Sequence, residues 1–276
     1  MSRVWLITGS SRGLGRALAE AVLAAGDRLV ATARTPEQLA DLVTKYGDQV
    51  RAVALDVTDA DAARGAVRTA LEEFGGLDIV ANNAGYANSA SIEETPDDDF
   101  RAQVETNLFG VVNVTKAALP VFREQRHGHF LQFSSIGGRV GGTPGMGAYQ
   151  TAKFAVEGFS EVLNNEVKPF GVKVTIVEPG AFRTDWGGSS MTIAANHPDY
   201  DETVGAMNRF RVESDGKQAG DPAKAAQAIL QVVAADNPPV RLLLGSDALT
   251  RAQQGADERA AETAAWAHLS TSTDFD

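Results

Sequence analysis

Short β-branched and apolar runs alternate along this chain with longer stretches whose apolar positions recur at helical spacing. Val4 to Ile7, Leu29 to Ala33, Val50 to Leu55, Leu77 to Ala81, His129 to Phe133, Val172 to Val177 and Val240 to Leu244 read as seven buried strands. Between the first two, Leu14, Leu18, Ala21, Val22 and Ala25 recur three and four residues apart and stop at Gly26, which predicts an amphipathic helix with a glycine stop. The same pattern predicts helices over Pro36 to Tyr46, Asp59 to Phe74, Asp98 to Phe122, Tyr149 to Lys168 and Asp221 to Ala234. Strands that alternate with helices in this way form a doubly wound α/β unit, a parallel sheet with helices on both faces. Without a Pro-rich linker or repeat period, residues 1–246 are expected to be one domain.

Two stretches break the rhythm. From about Trp186 to Lys217 the sequence is polar and rich in Gly, Ser and Asn, with scattered Met191, Ile193, Met207 and Phe210. Its place after the sixth strand, near the ligand crevice of an open α/β sheet, suits a substrate lid. A solvated surface loop is the plainer reading. Residues 247–276 are Ala-rich and expected to be helical to Leu269, followed by a polar tail from Ser270.

Composition narrows the function classes. The 276 residues carry 25 Lys and Arg against 36 Asp and Glu, a net −11 that argues against nucleic acid or an anionic membrane as partner. The absence of cysteine removes thiolate metal sites and cysteine nucleophiles. No apolar run reaches the ~20 residues needed to span a bilayer, and Met1-Ser2-Arg3 lacks a signal-peptide pattern, so the expectation is a cytoplasmic protein. No metal site is expected: His127 and His129 lack a third ligand and read as solvated polar surface at a strand edge. Asp97 to Asp99 reads as a helix N-terminus.

Chemistry concentrates in three places. Thr8-Gly9-Ser10-Ser11-Arg12-Gly13-Leu14-Gly15 lies between the first strand and its helix. There glycines allow a tight turn and close backbone approach, and free N–H groups at the helix start suit a pyrophosphate. The second strand ends Ala33-Arg34 with no carboxylate, and residues 1–34 hold five Arg against Glu20 and Asp27, a local +3. Arg12 and Arg34 suit a ribose 2′-phosphate, which a carboxylate there would repel. Tyr149 and Lys153 stand at i and i+4 on one predicted helix, where a cation lowers the phenol from its ordinary pKa of about 10.

The spacing G-x-x-x-G-x-G resembles the short-chain dehydrogenase/reductase superfamily, and further segments agree in order. Asn82-Asn83-Ala84-Gly85 resembles its NNAG motif, and Asp56, with Val57 after it, its adenine-contacting position. Pro179-Gly180 with Thr184 resembles its PG motif and carboxamide-holding threonine. Asn107, Ser135, Tyr149 and Lys153 resemble its catalytic tetrad. The resemblance covers residues 1 to about 185 closely.

It implies a Rossmann-type fold and a cofactor site comprising Gly9, Ser11, Arg12, Gly13, Leu14, Gly15, Arg34, Asp56, Val57, Asn83, Ala84, Gly85, Tyr149, Lys153, Pro179, Gly180 and Thr184. By this resemblance Tyr149 is the general acid or base, Ser135 orients the carbonyl oxygen, Lys153 binds the nicotinamide ribose and Asn107 holds a relay water. With Arg12 and Arg34 it implies NADP(H) in preference to NAD(H), and hydride transfer to or from a carbonyl or secondary alcohol. One departure is that Ser135 precedes Tyr149 by fourteen residues, one more than is usual in the family.

The few charges between Trp186 and Lys217 favour a neutral, partly apolar substrate. A homodimer or homotetramer is implied, although Val111, Val112, Val114, Phe154 and Phe159 suit an interface and a core equally. The alternative from another class is a non-enzymatic NADP(H)-sensing regulator on the same fold, against which the intact Tyr149 and Lys153 count. An epimerase or dehydratase needs a different glycine spacing.

Overall fold

The apolar runs become one sheet in a computed structural model that describes residues 2–186 and 190–275. The chain runs through β1 (Val4–Ile7), α1 (Gly13–Ala24), β2 (Arg28–Ala33), α2 (Ala40–Tyr46), β3 (Val50–Ala54), α3 (Ala60–Phe74) and β4 (Ile79–Asn82). It continues through α4 (Asp97–Val104), α5 (Gly110–Gln125), β5 (Gly128–Phe133), α6 (Ile136–Arg139), α7 (Gly147–Val167), β6 (Val172–Pro179), α8 (Ala206–Ser214), α9 (Pro222–Ala234), β7 (Arg241–Leu244) and α10 (Ser246–Thr271). All strands are parallel, in the order β3-β2-β1-β4-β5-β6-β7. The order reverses between β1 and β4, and there the carboxyl ends of the strands open a crevice.

β1 shows why its run is apolar throughout. Trp5 and Ile7 join the core layer of Leu18 and Val22 from α1 and Ile229 and Val233 from α9. Val4 and Leu6 face the opposite layer, with Val67 of α3, Phe122 of α5 and Leu163 of α7. A strand covered on both faces has no solvent side on which to place polar residues. Val111 and Val114 belong to the buried core, whereas Phe154 is exposed.

Several expectations need correction. The helix expected over Asp98 to Phe122 contains a wide π turn at Glu105–Phe109, where the Gly110 N–H reaches back five residues to the Glu105 carbonyl. The Asn107 amide donates to the Gln103 carbonyl (2.8 Å) and so competes with the regular backbone ladder, and a Cβ on Gly110 would collide with Val57. His129 is not solvated: it is buried in β5, donating to or accepting from Thr175 Oγ1 at 3.0 Å, and burial pushes its pKa down to about 4.

Residues 186–217 hold more structure than their polarity suggests. They carry α8, with Met191, Val204 and Asn208 buried, while residues 187–189 lie outside the described residues. The polar tail expected from Ser270 starts later, because the Ser270 and Thr271 hydroxyls donate back to Trp266 and Ala267 carbonyls within α10 (3.4 and 3.1 Å). Among the described residues, no helix is long and apolar enough to cross a membrane.

Candidate active site

A cleft of about 560 Å³ lies along the carboxyl ends of the strands, and each of the seventeen positions expected to hold the cofactor except Gly15 is on its wall. Its first part is built by the turn after β1. Gly9 and Gly13 take positive φ values of 69° and 59°, which glycine adopts without strain. Arg12 stands at the N-cap of α1 in extended conformation, its side chain caps nothing, and the first turn holds no acid. The first N–H groups of α1 and the positive end of its dipole are therefore left for an anionic ligand.

Asn83 fixes this turn from β4. Its amide donates to the carbonyls of Thr8 (2.9 Å) and Gly9 (3.1 Å), while Thr8 Oγ1 accepts from the N–H groups of Asn83 (3.0 Å) and Ala84 (2.9 Å). Gly15 acts from behind the cleft wall: a Cβ there would run into both the Asn83 amide and the Gly9 carbonyl.

At the end of β2, Ala33 is buried and Arg34 exposed on the cleft wall that Arg12 also lines, with no ion pair to either arginine among the described residues. The local +3 divides. Arg16 is paired with Glu20 and Asp41, Arg28 donates to the Phe74 carbonyl, and only Arg12 and Arg34 of the five line the cleft. Asp56 accepts from Thr58 N–H and Oγ1 (3.0 and 2.8 Å), which with Arg34 nearby holds its carboxyl below the usual range.

The reacting end is assembled by the end of β5, the π turn before α5, and α7. Ser135 is the N-cap of α6, accepting from the Gly137 N–H at 3.0 Å, while the neighbouring Ser134 turns away to the Lys153 carbonyl. The additional residue between Ser135 and Tyr149 is absorbed by α6 and by glycines 141, 142 and 145, all in the left-handed region, and Gln150 holds the loop by accepting from the Thr143 N–H. Lys153 Nζ donates to the Phe133 carbonyl at 2.7 Å and lies 5.7 Å from the centroid of the Tyr149 ring.

These positions reverse one expectation. Burial pushes the Tyr149 phenol up to about 12, with the Ser135 hydroxyl pulling the other way. Burial pushes the Lys153 ammonium down to about 8, with Glu157 opposing. The cation points at a backbone carbonyl, and burial sets the phenol high, so Tyr149 keeps its proton at neutral pH.

Asn107 uses its amide nitrogen on the carbonyls of Tyr86 and Gln103 (both 2.8 Å), and its buried Oδ1 has no partner among the described residues. A Cβ on Gly85 would strike that oxygen and come within 3.6 Å of Lys153 Nζ, so Gly85, Asn107 and Lys153 converge. A buried acceptor left open beside an ammonium suits a bound water or hydroxyl.

Asp247 on the wall was not expected, whereas Trp186, Met207 and Phe210 come from the stretch read as a lid. Asp247, from the first turn of α10, accepts from the Ala181 N–H at 2.8 Å and fits against Gly180, whose missing Cβ makes the room. An acid at a helix start is ordinarily a dipole partner, and the sequence carries no other sign of this role. Trp186 packs on Tyr149 with ring centroids 5.1 Å apart. Ala87, Met146, Met191 and Tyr149 form a separate apolar cluster beside the reacting end. From α8, Met207, Phe210 and Arg211 reach the same wall. The expectation of a neutral occupant took residues 186–217 to hold few charges; they hold eight charged side chains, and the fold brings one of them, Arg211, to the cleft wall.

The model of the short chain dehydrogenase family matches residues 3–192. Oxidoreductase BOA17 of Botryotinia fuckeliana (strain B05.10) is 51% identical over 271 residues, covering 98% of each chain. The crystal structure of a short-chain dehydrogenase from Streptomyces avermitilis shares the fold at a TM-score of 0.93 and 42% identity, with both chains covered in full. An alcohol dehydrogenase from the archaeon Thermococcus sibiricus, solved in complex with 5-hydroxy-NADP, has a TM-score of 0.72 at 27% identity over 88% of this chain and 96% of its own. With a glycine turn, an uncapped helix start and a buried Tyr–Lys pair in one cleft, this chain belongs to the short-chain dehydrogenase family of oxidoreductases.

Proposed function

We propose that this oxidoreductase prefers NADP(H) to NAD(H) and moves hydride between the nicotinamide and a carbonyl or secondary alcohol of a partly apolar molecule. The observation that carries this reading is a single cleft with Arg12, Arg34 and an uncapped helix start at one end and a neutral, buried Tyr149 beside Ser135 at the other. The nicotinamide, when bound, supplies or takes up the hydride. The α1 N-terminus would hold the pyrophosphate, Arg12 and Arg34 the 2′-phosphate, Asp56 and Val57 the adenine, and Lys153 the nicotinamide ribose. Ala84, Gly85, Pro179, Gly180 and Thr184 would border the nicotinamide half. The Thermococcus sibiricus protein, with its NADP derivative, supports a phosphorylated cofactor.

In reduction, Tyr149 donates its proton to the oxygen on which charge develops, and the Ser135 hydroxyl donates a hydrogen bond to the same atom. A phenol at about 12 keeps its proton at neutral pH and releases it less readily than a free phenol, so both directions call on the Lys153 charge to stabilise the phenolate. Asn107 Oδ1 offers an acceptor on the path by which a proton returns to Tyr149.

The test is NADPH consumption against a panel of steroids, quinones, acyl ketones and small aldehydes, with Tyr149→Phe as control and NADPH and NADH titrated separately. Tyr149→Phe is expected to abolish turnover and keep cofactor binding, and Arg34→Ala to narrow the preference for NADPH. Unchanged turnover in Tyr149→Phe refutes the proton role, and tighter binding of NADH refutes the charge argument.

A further inference from the structure

Arg211 is a half-buried guanidinium on the cleft wall whose partners are all neutral. Nη1 donates to Ser89 Oγ (2.9 Å) and Asn208 Oδ1 (2.8 Å), and Nη2 donates to the Pro144 carbonyl (3.0 Å). Three of the five N–H groups are thereby used. Nε and the second Nη2 hydrogen have no protein partner among the described residues, and Nε–H and Nη2–H form the fork that a carboxylate bridges. No carboxylate stands within ion-pair distance of Arg211 among the described residues, and its pKa is lowered through burial alone. The cleft's other arginine at this end, Arg251, shares a turn of α10 with Asp247 and reaches Thr143 Oγ1 at 3.4 Å. Asp215, four residues on at the end of α8, makes no ion pair with Arg211.

A cation held out of water without a counter-charge is costly, and a site tolerates it where the missing charge arrives with a ligand. The place of Arg211 says where that ligand lies. Ser89 and Ala90 bridge to Ile193 and Met146 respectively, and Pro144, the Arg211 acceptor, is five residues before Tyr149. Met146, which packs with Tyr149 in one apolar cluster, lines the cleft together with Tyr149 and Arg211.

We infer that Arg211 recognises a carboxylate on the substrate, so that the enzyme acts on oxo acids or hydroxy acids whose reacting carbon and acid group are separated by an apolar spacer. This rests on the oxidoreductase reading of the same cleft and replaces the neutral substrate expected from composition. The carbonyl oxygen meets Tyr149 and Ser135, the spacer lies on Met146, which lines the cleft with them, and the carboxylate completes the fork of Arg211.

The experiment compares NADPH-dependent reduction of 5-oxohexanoate and 7-oxooctanoate with that of their methyl esters, in wild type, Arg211→Gln and Arg211→Lys. Wild type is expected to favour the better acid over its ester in kcat/KM by roughly 10- to 100-fold, the range for a lost charge-assisted hydrogen bond. Arg211→Gln should bring the acid-to-ester ratio close to one, and Arg211→Lys should restore part of it. If Arg211 only pins α8 to the Pro144 loop, Arg211→Gln lowers acid and ester together and the ratio stays, which overturns the inference. So does a wild type that prefers the esters. Should no ketone be reduced at all, the oxidoreductase reading is what has failed, and calorimetric titration with hexanoate and hexan-1-ol still decides the matter. Hexanoate binding that is lost in Arg211→Gln supports recognition of the acid, and equal or absent binding of the two probes refutes it.

Discussion

Replacing Lys153 by Met should make this protein more stable at neutral pH while it removes activity. Lys153 is 3% exposed, and burial pushes its pKa from 10.5 down to about 8. That gap, at 1.36 kcal/mol per unit, means that the folded state carries the ammonium at a cost of roughly 3 kcal/mol relative to the unfolded chain. Met fills the same channel without charge. What is lost is the hydrogen bond to the Phe133 carbonyl, and an acceptor left unpaired costs about 1–2 kcal/mol. Glu157 keeps its Arg241 partner at 3.1 Å and is not orphaned. The expected net gain is about 1–2 kcal/mol at pH 7.5.

The pH dependence identifies the cause. Lys153 has a lowered pKa in the folded state, so between about 8 and 10.5 the unfolded chain binds more protons and wild-type stability rises with pH. The variant lacks this slope. Its advantage should therefore hold below pH 8, shrink from pH 8 to 10, and reverse near pH 10.5, where only the lost hydrogen bond remains. Urea unfolding followed by tryptophan fluorescence at pH 7.5, 8.5, 9.5 and 10 measures it. A variant less stable than wild type at pH 7.5, or an offset that does not change with pH, would refute the desolvation argument.

Gly15→Ala should weaken NADPH binding at least tenfold and lower stability by about 1–3 kcal/mol, since its methyl group meets the Asn83 amide and the Gly9 carbonyl that shape the turn; isothermal titration and urea melts read both. His129, buried and held down to about 4, binds fewer protons folded than unfolded between about pH 4 and 6.5, so stability should rise with pH across that window and be lost as the pH is lowered; His129→Gln should flatten the slope by up to about 3 kcal/mol over the window in urea melts. Arg139→Met leaves the fully buried Glu178 carboxylate facing Glu157 with one arginine fewer, and should cost about 3–5 kcal/mol by the same measurement at pH 8.

The sheet was readable in the sequence because burial on both faces leaves little alternative to apolar residues in strands such as Val4–Ile7. The cofactor end was readable for a related reason: Gly9 and Gly13 sit where backbone conformation demands glycine, and Gly15 where a side chain would collide. The substrate end was not. α8 is short and polar, and its hold on the cleft comes through Arg211 reaching Ser89, 122 residues away, and Pro144, 67 residues away. Such contacts leave no local period. Asp247 reads as an ordinary helix start, and only the fold puts it against Gly180.

What the unreadable and readable parts of the site share is a departure from local preference. The α1 N-terminus is left uncapped, Lys153 is charged out of water, Asn107 Oδ1 is an orphan acceptor and Arg211 lacks a counter-ion. Each is unfavourable alone, and each is relieved by a group of opposite character: a pyrophosphate, a phenolate or ribose, a water, a carboxylate. The four stand along one cleft, so a ligand that satisfies one of them brings its remaining groups toward the next. Cofactor binding should accordingly rigidify the wall on which Arg211 sits and tighten the binding of hexanoate, and by linkage hexanoate should tighten NADPH by the same factor. Titrating each in the presence and absence of the other measures that factor; a value of one would mean that the two ends of the cleft act independently.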